Sequence, residues 1–371
     1  MIKRFHGIDR HKNFSTISVL DLEGKEIDFK SICLNLRSYI DGLGPEDAVI
    51  MEASTGTFYW ADLVEVKGAL CFVLNPYRFK IIKDSWNKTD KQDAQDARNM
   101  GKALWVYMVT EEFGIPTVYK PDVVIRELRK LFCQYELLNK QIRMLKNNIQ
   151  AILADNGIAL PQVEKNHLLS KKYGQAVLEK LEVSPASRIS VKVSLELLWK
   201  EEEAKGEINK AIILIGEPLQ GDVNLLITIK GITPLTALAF LSDVADINRF
   251  KTLRKMNAYL GLVPRSKNSG GKSRPGHINR ASRKLTRTLL TQSVIHIADS
   301  SWYLRNYYSE LTKRRGVGRA RIALIRKICG VMRRMLLNGE EYRSINIDNF
   351  ERKSKKYAKE LEKIKEERKS A

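Results

Sequence analysis

Long apolar runs are missing from this sequence. No window approaches the roughly 20 apolar residues that a membrane-spanning helix needs, so a chain that crosses a membrane is not expected. The first residues, Met1-Ile2-Lys3-Arg4-Phe5-His6, lack the apolar core of a secretory signal. Cysteine is scarce: Cys33, Cys71, Cys133 and Cys329 stand far apart and form no CxxC pair. That spacing argues against a zinc finger and a disulfide framework, and predicts buried free thiols in a reducing cytoplasm. Acid is in short supply, with 43 Asp and Glu against 64 Lys and Arg, a net charge of +21. Charge of one sign repels itself and does not serve folding. It points to a polyanionic partner, nucleic acid ahead of an anionic membrane surface.

What is present is enough for two or three domains: 371 residues, 43% of them apolar. Ile2 to Asp9 and Phe14 to Leu20 alternate like strands, and the turn Asp21-Leu22-Glu23-Gly24-Lys25 leads into a third. Leu34 to Asp41 and Phe58 to Lys67 read as helices, Ala48 to Met51 and Ala69 to Leu74 as buried strands. The order predicts a mixed α/β sheet in a domain over 1–105. A helical middle, 106–215, follows. In it Leu131, Tyr135, Leu138, Ile142, Leu145, Ile149 and Ile152 recur at alternating spacings of 4 and 3, a heptad seam. The seam is read either as a coiled coil joining protomers or as an intramolecular hairpin against a helix such as Val191 to Ile212. A further helical domain over 216–345 contains Ile229-Lys230-Gly231-Ile232-Thr233-Pro234, which is similar to a helix-hairpin-helix turn that offers amides to a phosphate. Residues 264–280 read as a loop, and 346–371 as a charged tail, either a solvated helix or disordered.

Four carboxylates fall at positions suited to metal. Asp9 and Glu52 end strands, and Asp90 and Asp93 are three apart on a helix face. Converging from strand ends and a helix, such groups suit Mg²⁺ (or Mn²⁺), and paired metals assist phosphodiester chemistry as in RNase H-like nucleases. Each alone is more often a turn or cap residue than a ligand. Asp96 continues the helical series as a competitor, and Asp84 is less well placed.

Between Ile247 and Ile297 there are twelve Lys or Arg and no Asp or Glu. Arg265, Lys267, Lys272, Arg274, Arg280, Arg283, Lys284 and Arg287 are the candidate nucleic-acid contacts. Within this stretch Ser269 precedes Gly270-Gly271, which would let a bulky phosphodiester approach its hydroxyl. The segment is a phosphate-binding loop, or it carries a nucleophilic serine, with Ser266 and Ser273 as competitors.

Taken in order, Gly7-Ile8-Asp9, Glu52-Ala53-Ser54, Lys88-Thr89-Asp90-Lys91-Gln92-Asp93-Ala94 and Tyr259-Leu260-Gly261-Leu262-Val263-Pro264 with Ser269-Gly270-Gly271-Lys272 resemble the DEDD transposases of bacterial insertion sequences, also described as bridge-RNA-guided recombinases. The likeness covers about residues 2–104 and 222–338. It implies a RuvC-like N-terminal domain, a coiled-coil linker and a C-terminal transposase domain. It implies metal at Asp9, Glu52, Asp90 and Asp93, and a transient phosphoserine at Ser269. It further implies double-stranded target and donor DNA, a structured guide RNA, a homo-oligomer (dimer or tetramer) and a site in the bacterial cytoplasm at the nucleoid. One departure stands out: in Gly276-His277-Ile278-Asn279-Arg280-Ala281-Ser282, Arg280 replaces the usual Lys and Ser282 the usual second Gly. The alternatives are a junction nuclease in which water attacks, and a nucleic-acid scaffold whose carboxylates are structural.

Overall fold

Short alternating segments at the N-terminus pair into one sheet, and longer amphipathic segments beyond it form helices. The computed structural model describes residues 1–33, 36–86, 93–110, 114–269, 272–278 and 282–369, with backbone alone at 33, 83–86, 265–269 and 272–278. It divides into two units, Met1–Lys120 and Pro121–Ala371.

The first unit runs β1 (Arg4–Arg10), β2 (Phe14–Leu20), β3 (Glu26–Cys33), α1 (Leu36–Asp41), β4 (Asp47–Glu52), α2 (Thr57–Val66), β5 (Leu70–Leu74), α3 (Pro76–Trp86) and α4 (Asp93–Trp105). The strand order is β3-β2-β1-β4-β5. β1, β2 and β3 pair antiparallel, whereas β4 runs parallel to β1 and β5 to β4. The sheet is therefore mixed, as expected, and both faces are covered. Ile8, Ile17, Val49, Met51 and Val73 pack with Leu36, Ile40, Ala61 and Val64 on one face. Phe5, Ala48, Ile50 and Leu74 pack with Phe79, Met100, Ala103 and Leu104 on the other. The period of two along each strand assigns every residue to a face. Asp9, in step with Phe5, and Glu52, in step with Ala48 and Ile50, belong to the face that carries α4.

α4 lies directly on β1. A methyl group added to Gly7 would fall 2.1 Å from the carbonyl oxygen of Ala97 and 2.4 Å from the amide nitrogen of Gly101. Only glycine at position 7 admits this approach. The approach sets α4, and with it Asp93, against the strand that carries Asp9.

Among its described residues, the second unit is helical apart from one ribbon. It contains α5 (Val123–Asp155), α6 (Gln162–Leu169), α7 (Gly174–Lys180), α8 (Pro185–Ile215), α9 (Gln220–Ile227), α10 (Pro234–Val244), α11 (Leu253–Tyr259), β6 (Pro264–Ser269), β7 (Lys272–Ile278), α12 (Leu285–Gln292), α13 (Val294–Ala298), α14 (Trp302–Arg315), α15 (Val317–Asn338) and α16 (Ile347–Lys369). Side-chain caps start several helices: Asp122 accepts from the Ile125 amide, Ser184 from Ser187, Thr233 from Thr236 and Ser301 from Leu304.

The face of α5 that carries the heptad seam is buried within the chain, with Leu131, Leu145 and Ile152 only partly covered. Leu128, Phe132 and Tyr135 pack with Ile212 and Ile213, and Ile142, Ile149 and Leu153 with Val191, Leu195 and Leu198. α5 and α8 thus form the hairpin of the two readings given above. Three further differences from the sequence reading have local causes. Residues 264–269 and 272–278 form an antiparallel ribbon rather than a loop, because backbone pairing carries a polar segment that has no apolar periodicity. The charged tail is a helix, α16, as one of its readings had it, but it is not wholly solvated: Tyr357, Leu361 and Ile364, spaced 4 and 3, bury one stripe of it in the main core. Cys133 is exposed rather than buried, since it falls off the seam of α5, whereas Cys329 is buried and Cys71 half-buried. Burial pushes both the Cys71 and Cys329 thiols up to about 12. Among the described residues, no helix is long and apolar enough to cross a membrane.

Candidate metal site and basic ribbon

Asp9 sits at the end of β1, in the register next after the pair Ile8 and Met51. Glu52 ends the neighbouring β4 and so lies at the same level on the same face. Asp93 is the first residue of α4, which Gly7 seats against β1. His11 follows Asp9 by two residues. Its Nε2 lies 3.1 Å from Oδ2 of Asp9 and 3.4 Å from Oδ1 of Asp93. One ligand atom from each of Asp9, His11 and Asp93 falls within 4.8 Å of the other two. Glu52 is exposed and stands outside this trio. Asp90 lies outside the described residues.

The imidazole is held in place. Its ring stacks on Phe14 with centroids 4.5 Å apart, and the His11 backbone amide donates to the Phe14 carbonyl at 2.9 Å. Asp9 is 9% exposed. Burial pushes its carboxyl above the usual carboxylate range, His11 pulls it back, and Asp96 and Asp93 add to the rise. A buried carboxylate among other acids favours a positive partner such as a cation. Asp93 and Asp96 both occupy the first turn of α4, where the helix dipole favours negative charge.

The backbone around Glu52 is fixed by hydroxyls. Thr57 donates to the Glu52 carbonyl at 2.9 Å and accepts from the Ser54 amide at 2.9 Å. Arg10 reaches across from β1 to Ser54 Oγ at 3.0 Å and to the Thr55 carbonyl. The strand ends that carry Asp9 and Glu52 are therefore tied together. His11 is the residue that motif reading missed. The available signal was the period of two: at the end of a strand, Asp9 and His11 fall on one side.

The basic segment is organised around its own unit. In the ribbon, Ser269 ends β6 and pairs through its backbone with Lys272, Asn268 with Ser273 and Lys267 with Arg274. Arg265 lies in β6, and the side chains of Arg265, Lys267, Ser269, Lys272 and Arg274 lie outside the described residues, as does all of Arg280. Arg287 donates to the Gly261 carbonyl at 2.7 Å, so its guanidinium braces the turn before the ribbon. Gly261 has φ +67, and a methyl group there would fall 2.2 Å from Ser282 Oγ. Arg283 and Lys284 open onto a cleft of about 210 Å³ lined also by Arg129, Cys133, Glu136 and Asp243. At its base the buried Asp243 accepts from the Thr286 amide at 3.0 Å and hydroxyl at 2.7 Å, while Arg129 donates to the Ser242 and Asp243 carbonyls. Tyr259 is pushed up by burial, but Arg129, Arg283 and Arg249 together pull its phenol below the ordinary value. The surroundings of the ribbon thus carry positive potential beyond the loop cations themselves.

Comparison with known proteins places these features in context. Residues 6–156 match the family DEDD_Tnp_IS110, described as a transposase. Residues 223–309 match Transposase_20, described as the transposase IS116/IS110/IS902 family. The chain is 26% identical to the transposase for insertion sequence element IS1111A of Coxiella burnetii, over 80% of this chain and 79% of that protein. It is 24% identical to a probable family 20 transposase of Pseudomonas aeruginosa, over 91% and 94% of the two chains. It is likewise 24% identical to the transposase for insertion sequence element IS1328 of Yersinia enterocolitica, over 77% and 81%.

Proposed function

Because this chain belongs to the IS110/IS116 family of insertion-sequence transposases, we propose that it exchanges DNA strands by a serine-dependent, metal-assisted reaction. The observation that carries the reading is the meeting of Asp9 and Asp93, from a strand and a distant helix, around His11. Two carboxylate oxygens and an imidazole nitrogen suit Mn²⁺ and are compatible with Mg²⁺ completed by water. Asp9 and Asp93 would hold the ion, with Glu52 and Asp90 completing the acidic quartet and His11 joining it. Bound there, such a metal stabilises charge that develops on phosphate oxygens.

The chain's own groups have separate tasks in this reading. Arg265, Lys267, Lys272, Arg274, Arg280, Arg283 and Lys284 position phosphates. Arg287 braces the Gly261 turn instead. The Ser269 hydroxyl attacks a DNA phosphate, loses its proton and forms a phosphoserine ester, while the broken DNA strand leaves as a free hydroxyl. Attack by a hydroxyl of the second strand reverses the step and releases the serine. The ester conserves the phosphodiester bond, so joining needs no outside energy source. The α/β unit corresponds in this reading to a RuvC-like domain, α5 with α8 to its coiled-coil linker, and α9 with α10 to a helix-hairpin-helix. A structured guide RNA and pairing of two DNA duplexes in an assembly of several copies, in the cytoplasm, belong to the same proposal. Since the α5 seam is buried against α8, that assembly must draw on other faces.

The test is Ser269→Ala on a nicked DNA substrate, read as covalent protein–DNA adducts on a denaturing gel. Adducts are expected with the unchanged chain and Mg²⁺, and none with the variant. Adducts that survive the substitution rule the serine out. A second reading has its own support: an imidazole between two carboxylates is also suited to take a proton from water. That reading is a junction nuclease, and it predicts free 5′ and 3′ ends with no protein attached.

A further inference from the structure

The turn between α9 and α10 encloses a cation supplied by the chain itself. The carbonyls of Ile227, Ile229 and Ile232 converge on Nζ of Lys353. The ammonium donates to Ile227, to Ile229 at 2.9 Å and to Ile232 at 3.1 Å. An ammonium has three N–H donors, and here all three meet backbone oxygens. Among the described residues, no carboxylate takes part in the cluster. Backbone carbonyls arranged around one point are also how proteins hold a monovalent metal ion stripped of its water. The position favours positive charge further, because Ile227 is the last residue of α9 and its carbonyl belongs to the negative end of that helix.

Lys353 arrives from α16. Tyr357, one helical turn on, is 1% exposed, and Leu361 and Ile364 continue the same buried stripe. Ion pairs from Lys365 to Glu217, and from Lys210 to Glu367 at 3.1 Å, fasten the distal part of the helix. The lysine is thus delivered by a packed element and is not a side chain ranging over the surface. Burial, with neighbouring Arg352, pushes it down to about 8, which leaves it protonated at neutral pH. The rest of the turn is specified around it. Gly231 has φ +90, and the Tyr342 amide donates to Thr228 Oγ1 at 3.2 Å.

We propose that this hairpin turn is a monovalent-cation site whose resident cation is the ammonium of Lys353, so that the C-terminal helix sets the shape in which the turn meets nucleic acid. Lys353 is then a positioning residue. The second half of the statement rests on the DNA-binding reading given above; the first does not. A consequence follows for ions. A turn filled from within has no need of K⁺, whereas a turn emptied by substitution does.

The experiment uses the full chain and two readouts, thermal melting and affinity for a DNA duplex. Each is taken in KCl and in LiCl at equal ionic strength. For the unchanged chain both readouts are expected to be indifferent to the identity of the cation. Lys353→Ala leaves three carbonyls facing an empty position. In LiCl it should lower the melting temperature and weaken DNA binding about tenfold, the scale of losing hydrogen bonds to a charged group. KCl or ethylammonium chloride should restore both. Lys353→Met fills the path of the stem without charge and should not respond to ethylammonium. The proposal is overturned if the unchanged chain itself requires K⁺, if Lys353→Ala loses nothing, or if its loss is not restored by any cation. The first of these needs no variant, so a substitution that prevents folding does not shelter the idea. If melting responds to K⁺ and DNA affinity does not, the cation site stands and the role of the turn in DNA binding falls.

Discussion

Asp9, His11 and Asp93 show how much chemistry depends on single positions. The carboxylates were visible as an acid ending a strand and an acid opening a helix. The imidazole was not, because a lone histidine in a polar turn carries no motif. Its 3.1 Å and 3.4 Å approaches to the two acids make a specific expectation. His11→Ala should weaken Mn²⁺ binding by roughly 10- to 100-fold, the usual cost of disturbing a metal's ligand shell. Titration followed by electron paramagnetic resonance measures this, and unchanged affinity would remove His11 from the site. A second residue-scale expectation concerns the buried Asp47. It accepts from Arg4 Nε at 2.6 Å, from His6 at 3.0 Å and from the Gly44 amide at 2.8 Å. Burial pushes its carboxyl up, but Arg4, the Gly44 amide and His6 together hold it below the usual range. Burial pushes His6 below its ordinary value. Both shifts have the same sign for stability, since in each case the unfolded chain binds the proton more readily. The His6 contribution is present above about pH 6.5 and is lost as pH falls below that value. The Asp47 contribution disappears only in stronger acid, through its depressed folded value. Melting temperature against pH should therefore fall in two stages. Asp47→Asn should cost about 3 kcal/mol near neutrality, because it strips a buried partner from Arg4 and His6.

At the scale of elements, the seat of α4 on β1 is the decisive contact of the first unit. Gly7→Ala would place a methyl group against backbone atoms of Ala97 and Gly101, which have no flexible end to yield. A destabilisation of about 1–3 kcal/mol is expected from such overpacking. Metal affinity should fall with it, since displacing α4 carries Asp93 away from Asp9. Urea unfolding and the Mn²⁺ titration check the two parts separately. The helix α5 makes a contrasting case. Its heptad seam was legible to within a residue, since Phe132 and Leu153 are buried where Leu131 and Ile152 were read, but the choice between its two partners was not, because an apolar stripe states only that something covers it. Ile149 is 1% exposed within a cluster drawn from α5, α6, α7 and α8. Ile149→Ala should therefore cost about 2–5 kcal/mol in unfolding free energy, with no change in oligomeric state by light scattering. A shift in oligomeric state without loss of stability would mean that the seam joins copies. The ribbon β6–β7 was read as a loop for a related reason. Its strands are polar, and what pairs them is backbone hydrogen bonding, which leaves no apolar signature.

For the whole molecule, a net charge of +21 sets the expectation for binding. Attraction to DNA should weaken steeply with salt, on the order of 10³-fold or more between 50 and 200 mM if six or more phosphates are neutralised. A filter-binding series over that range checks it, and a flat response would show that the charge is not directed at phosphate. The excess does not come only from the segment singled out in the sequence. Over 302–338, α14 and α15 carry Arg305, Lys313, Arg314, Arg315, Arg319, Arg321, Arg326, Lys327, Arg333 and Arg334 against the single acid Glu310. The sequence by itself determined the class of the chain, the mixed sheet with a helical remainder, the basic character and the likeness to a family. Those properties are local or additive: periodicity, charge and short motifs survive being read one residue at a time. Only the tertiary structure decided that His11 joins Asp9 and Asp93, that the α5 seam is covered by α8, and that a lysine from the charged tail fills the turn between α9 and α10. Each of these is a meeting of segments distant along the chain, and it is fixed by which backbones approach closely enough, as at Gly7. No single segment carries that information.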